Sequence, residues 1–197
     1  MKLFFASHNL DKKREIEYIV SSEKLIVLYI DDFPKYPEVE ETGQTLEENA
    51  ALKAEKGFEF CGLDTFAEDT GLFVDAIGGE PGIYTARYAG ENATYHDNCV
   101  KLLNKLEGIP PEKRTAHFKT VVSFKTRDSI QFFTGICEGR ISEKPAGKSG
   151  FGYDPIFIPE GYEVTFAELE KGVKNRISHR AKAVFKFSEH LKNRFGA

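Results

Sequence analysis

Leu63-Asp64-Thr65-Phe66-Ala67-Glu68-Asp69-Thr70-Gly71 is an apolar run that ends in two acidic residues and a glycine. Residues 63–67 have the length and composition of a buried strand, so the acidic pair is expected where the strand ends and a turn begins. Just upstream, Thr45 followed three residues later by Glu48 is a capping-box pattern. It predicts a helix to about residue 60, with Ala50, Ala54 and Phe58 on one stripe. Further back, residues 2–6 form an apolar run of strand length, and the polar turn Ser7-His8-Asn9 leads into helical spacing at Ile16, Ile19 and Val20. Residues 25–30 are again apolar and β-branched. Strand, helix and strand within thirty residues indicate an α/β protein.

Downstream, Gly78-Gly79-Glu80-Pro81-Gly82 is a tight turn, and Thr94 caps a helix through residue 106 whose buried face carries Cys99, Leu102, Leu103 and Leu106. Residues 116–125 and 129–138 alternate about an Arg127-Asp128 turn. This predicts an antiparallel hairpin with Phe118, Thr120, Val122 and Phe124 opposite Ile130, Phe132, Thr134 and Ile136. A flexible segment over 142–152, a short strand over 155–158 and an amphipathic helix over 177–195 complete the chain. No repeat or linker divides it, so residues 1–197 are read as one α/β domain with a mixed sheet flanked by helices.

Lysine and arginine number 27 against 31 aspartates and glutamates, a net charge of −4, which argues against a nucleic-acid coat protein. Hydrophobic residues at 41% and charged residues at 29% suit a folded soluble domain. Cys61, Cys99 and Cys137 show neither zinc-ligand nor disulfide-framework spacing and read as core packing. The apolar run after Met1-Lys2 is too short to span a membrane, so a cytoplasmic protein without membrane partners is expected.

Four segments carry possible chemistry. Ser7-His8-Asn9-Leu10-Asp11-Lys12 lies between a strand and a helix, where free N–H groups and the helix dipole suit a phosphate; on these residues alone an N-cap with a solvated lysine is the favoured reading. Glu40-Glu41 and Glu68-Asp69 are hard oxygen donors of the kind that hold magnesium together with substrate phosphates, or else they face water. Gly147-Lys148-Ser149-Gly150-Phe151-Gly152-Tyr153-Asp154 offers an aromatic ring between glycines, either to a flat base, with Asp154 accepting from ring N–H groups, or to the core. In Lys174-Asn175-Arg176-Ile177-Ser178-His179-Arg180, Ser178 can cap the last helix. That leaves His179 and Arg180 opposing the dipole in its first turn, a local cost that hints at function.

In this order, the segments resemble the inosine triphosphate pyrophosphatase family of house-cleaning nucleotide hydrolases. The match runs through Ser7-His8-Asn9, Lys12 and Glu15, then Glu40-Glu41-Thr42-Gly43, Glu48-Asn49-Ala50 and Lys53, then Glu68-Asp69-Thr70-Gly71-Leu72. It continues through Gly79-Glu80-Pro81-Gly82-Ile83-Tyr84, Ala86-Arg87-Tyr88, Pro145-Ala146-Gly147, Gly150-Phe151-Gly152-Tyr153-Asp154-Pro155-Ile156-Phe157 and Ser178-His179-Arg180. Where the family often has Thr-Gly-Asn this chain has Ser7-His8-Asn9, which keeps the hydroxyl and adds bulk.

The resemblance implies an elongated mixed sheet in two lobes with a central active-site cleft, a homodimer, and magnesium-dependent hydrolysis of ITP, dITP and XTP to monophosphate and pyrophosphate. It implies that Asp69 and a loop glutamate, Glu41 by alignment or else Glu40, hold Mg²⁺. Asp69 would also activate water, with Glu68 in support, while Lys12, Lys53 and Lys174 offset the triphosphate charge. Ser7 to Lys12 and Thr70 would lie along the substrate, and Phe151, Gly152, Tyr153 and Asp154 would receive the base. His179 and Arg180 would donate to its 6-keto oxygen. A nucleotide sensor that does not hydrolyse, or a pyrophosphatase for modified pyrimidines, is the competing reading; the metal carboxylates disfavour the first and Ser178-His179-Arg180 the second.

Overall fold

A computed structural model describes residues 1–19 and 25–195; Val20, assigned above to the first helical stripe, lies outside them. Two compact units emerge. The first comprises Met1–Asp69, Thr120–Gly135 and Arg180–Ala197, and the second Thr70–Lys119 and Ile136–His179.

In the first unit, β1 (Lys2–Phe5) pairs in parallel with β2 (Ile26–Leu28) through Leu3↔Val27 and with β3 (Thr65–Val74) through Phe4↔Thr65. Successive residues on these strands face opposite ways, and both faces are apolar. Leu3, Phe5 and Phe66 pack with Ile16 of α1 (Leu10–Ile19) and with Ala183, Val184, Phe187 and Leu191 of α5 (His179–Phe195). Phe4, Ala6 and Ala67 pack instead with Ala54 of α2 (Leu46–Cys61) and with Tyr36. Each such large apolar side chain contributes roughly 1.5–3 kcal/mol on burial. Thr45 caps α2 as its sequence predicts, accepting the Glu48 N–H at 3.1 Å, although the Glu48 carboxylate reaches back to the N–H of Gln44 at 2.6 Å.

In the second unit, β4 (Pro81–Gly82) runs antiparallel to β3 through Leu72↔Gly82. β7 (Phe157–Pro159) runs antiparallel to β6 (Ile130–Ile141) through Arg140↔Ile158. Its core joins Leu72, Val74 and Phe118 to Cys99, Leu102 and Leu106, on and just after α3 (Tyr95–Lys105), and to Phe157 and Phe166. Thr94 and Asp97 form the full capping box of α3. Buried Arg114 fastens the far end of that helix by donating to the carbonyls of Leu106, Ile109 and Ser142. The cysteines are free, and burial pushes the Cys99 thiol up to about 12, in keeping with a packing role.

Among the described residues, seven strands form one mixed sheet in the order β2-β1-β3-β5-β6-β7, with β5 (Thr115–Lys125) beside β6 and β4 added on β3. No described helix is long and apolar enough to cross a membrane.

Four expectations need correction. The strand expected over 63–67 runs instead to Val74, so Glu68, Asp69, Thr70 and Gly71 are strand residues and not a turn. Gly71 reads as a breaker, but its missing side chain serves a close approach. A Cβ there would lie 2.8 Å from the Gly82 carbonyl oxygen and 2.7 Å from the Phe73 ring. On β6 the inward set is displaced by one residue: Phe132 and Ile136 are 44% and 41% exposed, while Phe133 and Cys137 join the cores. The strand expected over 25–30 is shortened, because Ile30–Asp32 form a 3₁₀ turn whose Asp32 carboxylate accepts the Tyr29 N–H at 2.8 Å. Finally, the helix expected over 177–195 is α5 and starts two residues later, at His179, because Ser178 is extended; residue 177 ends a separate short helix, α4 (Lys171–Ile177).

Candidate active site

Glu68 and Asp69 alternate on β3, so each follows the face of the apolar residue two positions earlier. Glu68 shares the Phe66 face. Its side chain is fully buried, and both carboxylate oxygens accept Arg180 Nε, at 2.8 and 2.9 Å. Arg180 Nη1 donates to Glu15 at 2.5 Å, and Lys12 Nζ stands 3.5 Å from Glu68. Burial alone would raise the Glu68 pKa, but Arg180 and Lys12 outweigh it and hold the carboxyl below its ordinary value. The same two carboxylates raise the pKa of Arg180 against its burial. Desolvation lowers that of Lys12 despite Glu68. The base-reading donor expected of Arg180 is therefore occupied, at Nε and Nη1, by two carboxylates of its own unit.

Asp69 shares the Ala67 face and meets α2. Lys53 Nζ donates to Asp69 at 2.9 Å and to Glu41 at 2.5 Å, and Asn49 Nδ2 approaches Asp69 at 3.4 Å. Asn49 is itself oriented by the N–H of Gly43, 2.8 Å from its Oδ1. Burial raises the Asp69 pKa, with Glu41 adding to the rise and Lys53 and Lys12 opposing it. Lys53 is raised, because Asp69 and Glu41 together outweigh its burial. Of the two loop glutamates, the structure brings Glu41 to this cluster and leaves Glu40 exposed.

The donor set suits magnesium. Glu41 and Asp69 offer hard oxygens to one shared cation, at present the Lys53 ammonium, and magnesium is commonly held by one or two carboxylates plus substrate phosphates. Among the described residues no group of three or more His, Cys, Asp or Glu gathers as a dedicated metal cage.

The Ser7–Lys12 segment is built as an N-cap. Asn9 Oδ1 accepts the N–H groups of Asp11 and Lys12, each at 3.0 Å, and Ser7 Oγ accepts that of Asn9 at 3.3 Å. His8 stacks on Tyr36, with ring centroids 5.8 Å apart, and Leu10 is exposed. Lys12, by contrast, is not simply solvated: it is 15% exposed and turned to Glu68.

In the second unit, one Asp154 oxygen accepts both Lys174 Nζ, at 2.5 Å, and the Phe151 N–H, at 2.8 Å. The Lys174 ammonium also lies 4.9 Å from the centroid of the half-buried Phe151 ring. Gly150, with φ +76°, makes this possible, since a Cβ would strike the Asp154 carboxylate. The carboxylate expected to accept from a base therefore organises the ring and the ammonium. Tyr95 stands 5.8 Å from Phe151, and His179 stacks 4.4 Å from Phe118 at 15°. Tyr153 is buried and donates its hydroxyl to the Thr85 carbonyl at 2.9 Å. Thr70, next to Asp69, is half-buried on β3.

Glu15, Asn49, Tyr95 and Phe118 are participants that residue reading gave no role. Glu15 and Asn49 sat inside matched segments, and that was their only signal; Tyr95 and Phe118 read as helix and strand residues.

A sequence profile of the Ham1 family matches residues 3–190. The chain is 45% identical over 194 residues, 98% of each protein, to a Thermoanaerobacter pseudethanolicus protein named dITP/XTP pyrophosphatase. It is 48% identical over 184 residues to a Flavobacterium johnsoniae protein of the same name, covering 93% of this chain and 94% of the relative. Among solved structures, a HAM1 protein from Coxiella burnetii gives a TM-score of 0.90 at 35% identity, covering 98% of this chain and 99% of that one. The Staphylococcus aureus Ham1 protein gives 0.88 at 39% identity with the same coverage. The mixed-sheet α/β fold is thus shared with both.

Proposed function

The chain belongs to the Ham1 family, and on that premise we propose that it hydrolyses non-standard purine nucleoside triphosphates, ITP, dITP and XTP, to the monophosphate and pyrophosphate. The observation that carries the reading is the acidic pair on β3, with each carboxylate buried against its own set of cations. Buried charges so arranged are costly to assemble for stability alone.

The side chains around Glu68 and Asp69 supply the phosphate chemistry. Lys53 and Lys12 offset phosphate charge, and Asp69 orients the attacking water and accepts its proton. Glu68, held ionised by Arg180, maintains the field around Asp69. Glu41 and Asp69 would hold Mg²⁺, which when bound polarises the α-phosphate and acidifies water. The Phe151 loop and its neighbours supply the base contacts. Phe151 stacks on the purine, while His179 and Lys174 face its 6-keto oxygen, where adenine carries an amino donor. The homodimer belongs to the same proposal and rests on the family resemblance; the cytoplasmic setting is proposed with it.

A product assay tests it. With Mg²⁺, ITP, dITP and XTP should each yield pyrophosphate, with kcat/KM at least about a hundredfold above that for ATP. A chelator should stop the reaction. Orthophosphate as the first product would overturn attack at the α-phosphate, and equal turnover of ATP would overturn purine discrimination.

A further inference from the structure

Residues 79–88 belong to the matched pattern yet have no part in the chemistry above, and their geometry centres on Thr85. Its Oγ1 accepts the Leu72 N–H at 2.8 Å and donates to the Gly82 carbonyl at 2.5 Å. Its own carbonyl oxygen accepts the Tyr153 hydroxyl at 2.9 Å. Tyr153 is only 2% exposed, so water cannot replace that partner. One residue therefore ties three segments of the second unit together: β3 just past Thr70, β4, and the loop that carries Phe151.

Other fastenings of the loop lead elsewhere, such as Cys99 Sγ to the Gly152 carbonyl oxygen at 3.4 Å. Its stem is bound to Ala167, whose carbonyl accepts Ser149 Oγ at 2.6 Å and whose N–H donates to Asp154 O at 3.1 Å. The Asp154 bond to the Phe151 N–H lies within the loop, so it shapes the loop without locating it on the sheet. Among these fastenings, the Tyr153–Thr85 bond is the one that references the Phe151 loop to β3.

We propose that Thr85 and Tyr153 are positioning residues for purine recognition: their hydrogen bond holds the Phe151 loop in register with β3, so the base meets a ring already in place. This rests on the nucleotide reading above. Preorganisation of this kind acts on binding, because a loop left unanchored must be ordered by the ligand.

Tyr153→Phe removes only the hydroxyl oxygen, and Thr85→Val removes both side-chain hydrogen bonds while keeping the shape. Each should raise KM for ITP by about fivefold to tenfold with kcat within about twofold of wild type, and weaken IMP binding in calorimetry by the same factor. Thr85→Ser should restore the wild-type values. Hydrogen exchange should quicken over 147–155 in both variants. Unchanged KM and IMP affinity, or kcat and melting temperature falling together with KM unmoved, would overturn the proposal. Wild-type protein that neither binds IMP nor turns over ITP would overturn the nucleotide reading, and the purine role with it.

Discussion

Glu68 and Asp69 are neighbours in sequence but answer to different partners, and that separates the effects of changing them. Asp69→Asn keeps the shape and leaves Lys53 its bond to Glu41, so the fold should persist. Turnover of ITP should fall at least about a thousandfold, since the carboxylate charge is what water activation and metal binding need. Single-turnover kinetics beside a melting curve would show both. Arg180→Ala is the reverse case. It leaves Glu15 and Glu68 buried without their guanidinium, with Lys12 3.5 Å from Glu68, and should cost about 3–5 kcal/mol in urea unfolding. Arg180→Lys keeps the charge but loses the fork, so it should cost less and still unfold earlier than wild type. Residue types and order already pointed to these acids and cations. Their pairing was hidden, because Arg180 meets partners 112 and 165 residues away and no local spacing rule reaches so far. The choice between Glu40 and Glu41 was hidden for a simpler reason: in an irregular loop, side-chain direction has no period.

Local signals proved sound where the determinant is local. Thr45 and Thr94 capped their helices as read, because a cap depends on residues three apart. The course of β3 past residue 67 was not legible, because glycine marks a turn and a close backbone approach with the same letter. Gly71→Ala should therefore destabilise by about 1–3 kcal/mol, as Gly82 or Phe73 must move to admit the methyl group. On β6, apolar residues occupy both parities, with Ile130, Phe132 and Ile136 against Phe133 and Cys137, so alternation alone could not choose the buried face. The observed register makes a paired forecast for denaturation midpoints. Phe132→Ser should stay within about 0.5 kcal/mol of wild type. Phe133→Ala, which loses contact with Phe187 at 5.5 Å, should cost roughly 2 kcal/mol.

At the scale of the molecule, the chain passes from one unit to the other at 69–70, 119–120, 135–136 and 179–180, so neither unit is a contiguous piece of sequence. Three of those passages fall inside β3, β5 and β6. Unfolding should accordingly be a single transition, with calorimetric and van 't Hoff enthalpies equal; two resolved heat-absorption peaks would contradict it. The last passage bears on how the protein is made. Glu15 leaves the ribosome early, whereas Arg180, which neutralises it in the folded state, is added 165 residues later. At translation rates of about 5–20 residues per second, the first unit waits roughly ten to thirty seconds for its missing cation. A nascent chain that stalls before codon 180 therefore carries both acids without the guanidinium that pairs with them in the folded protein.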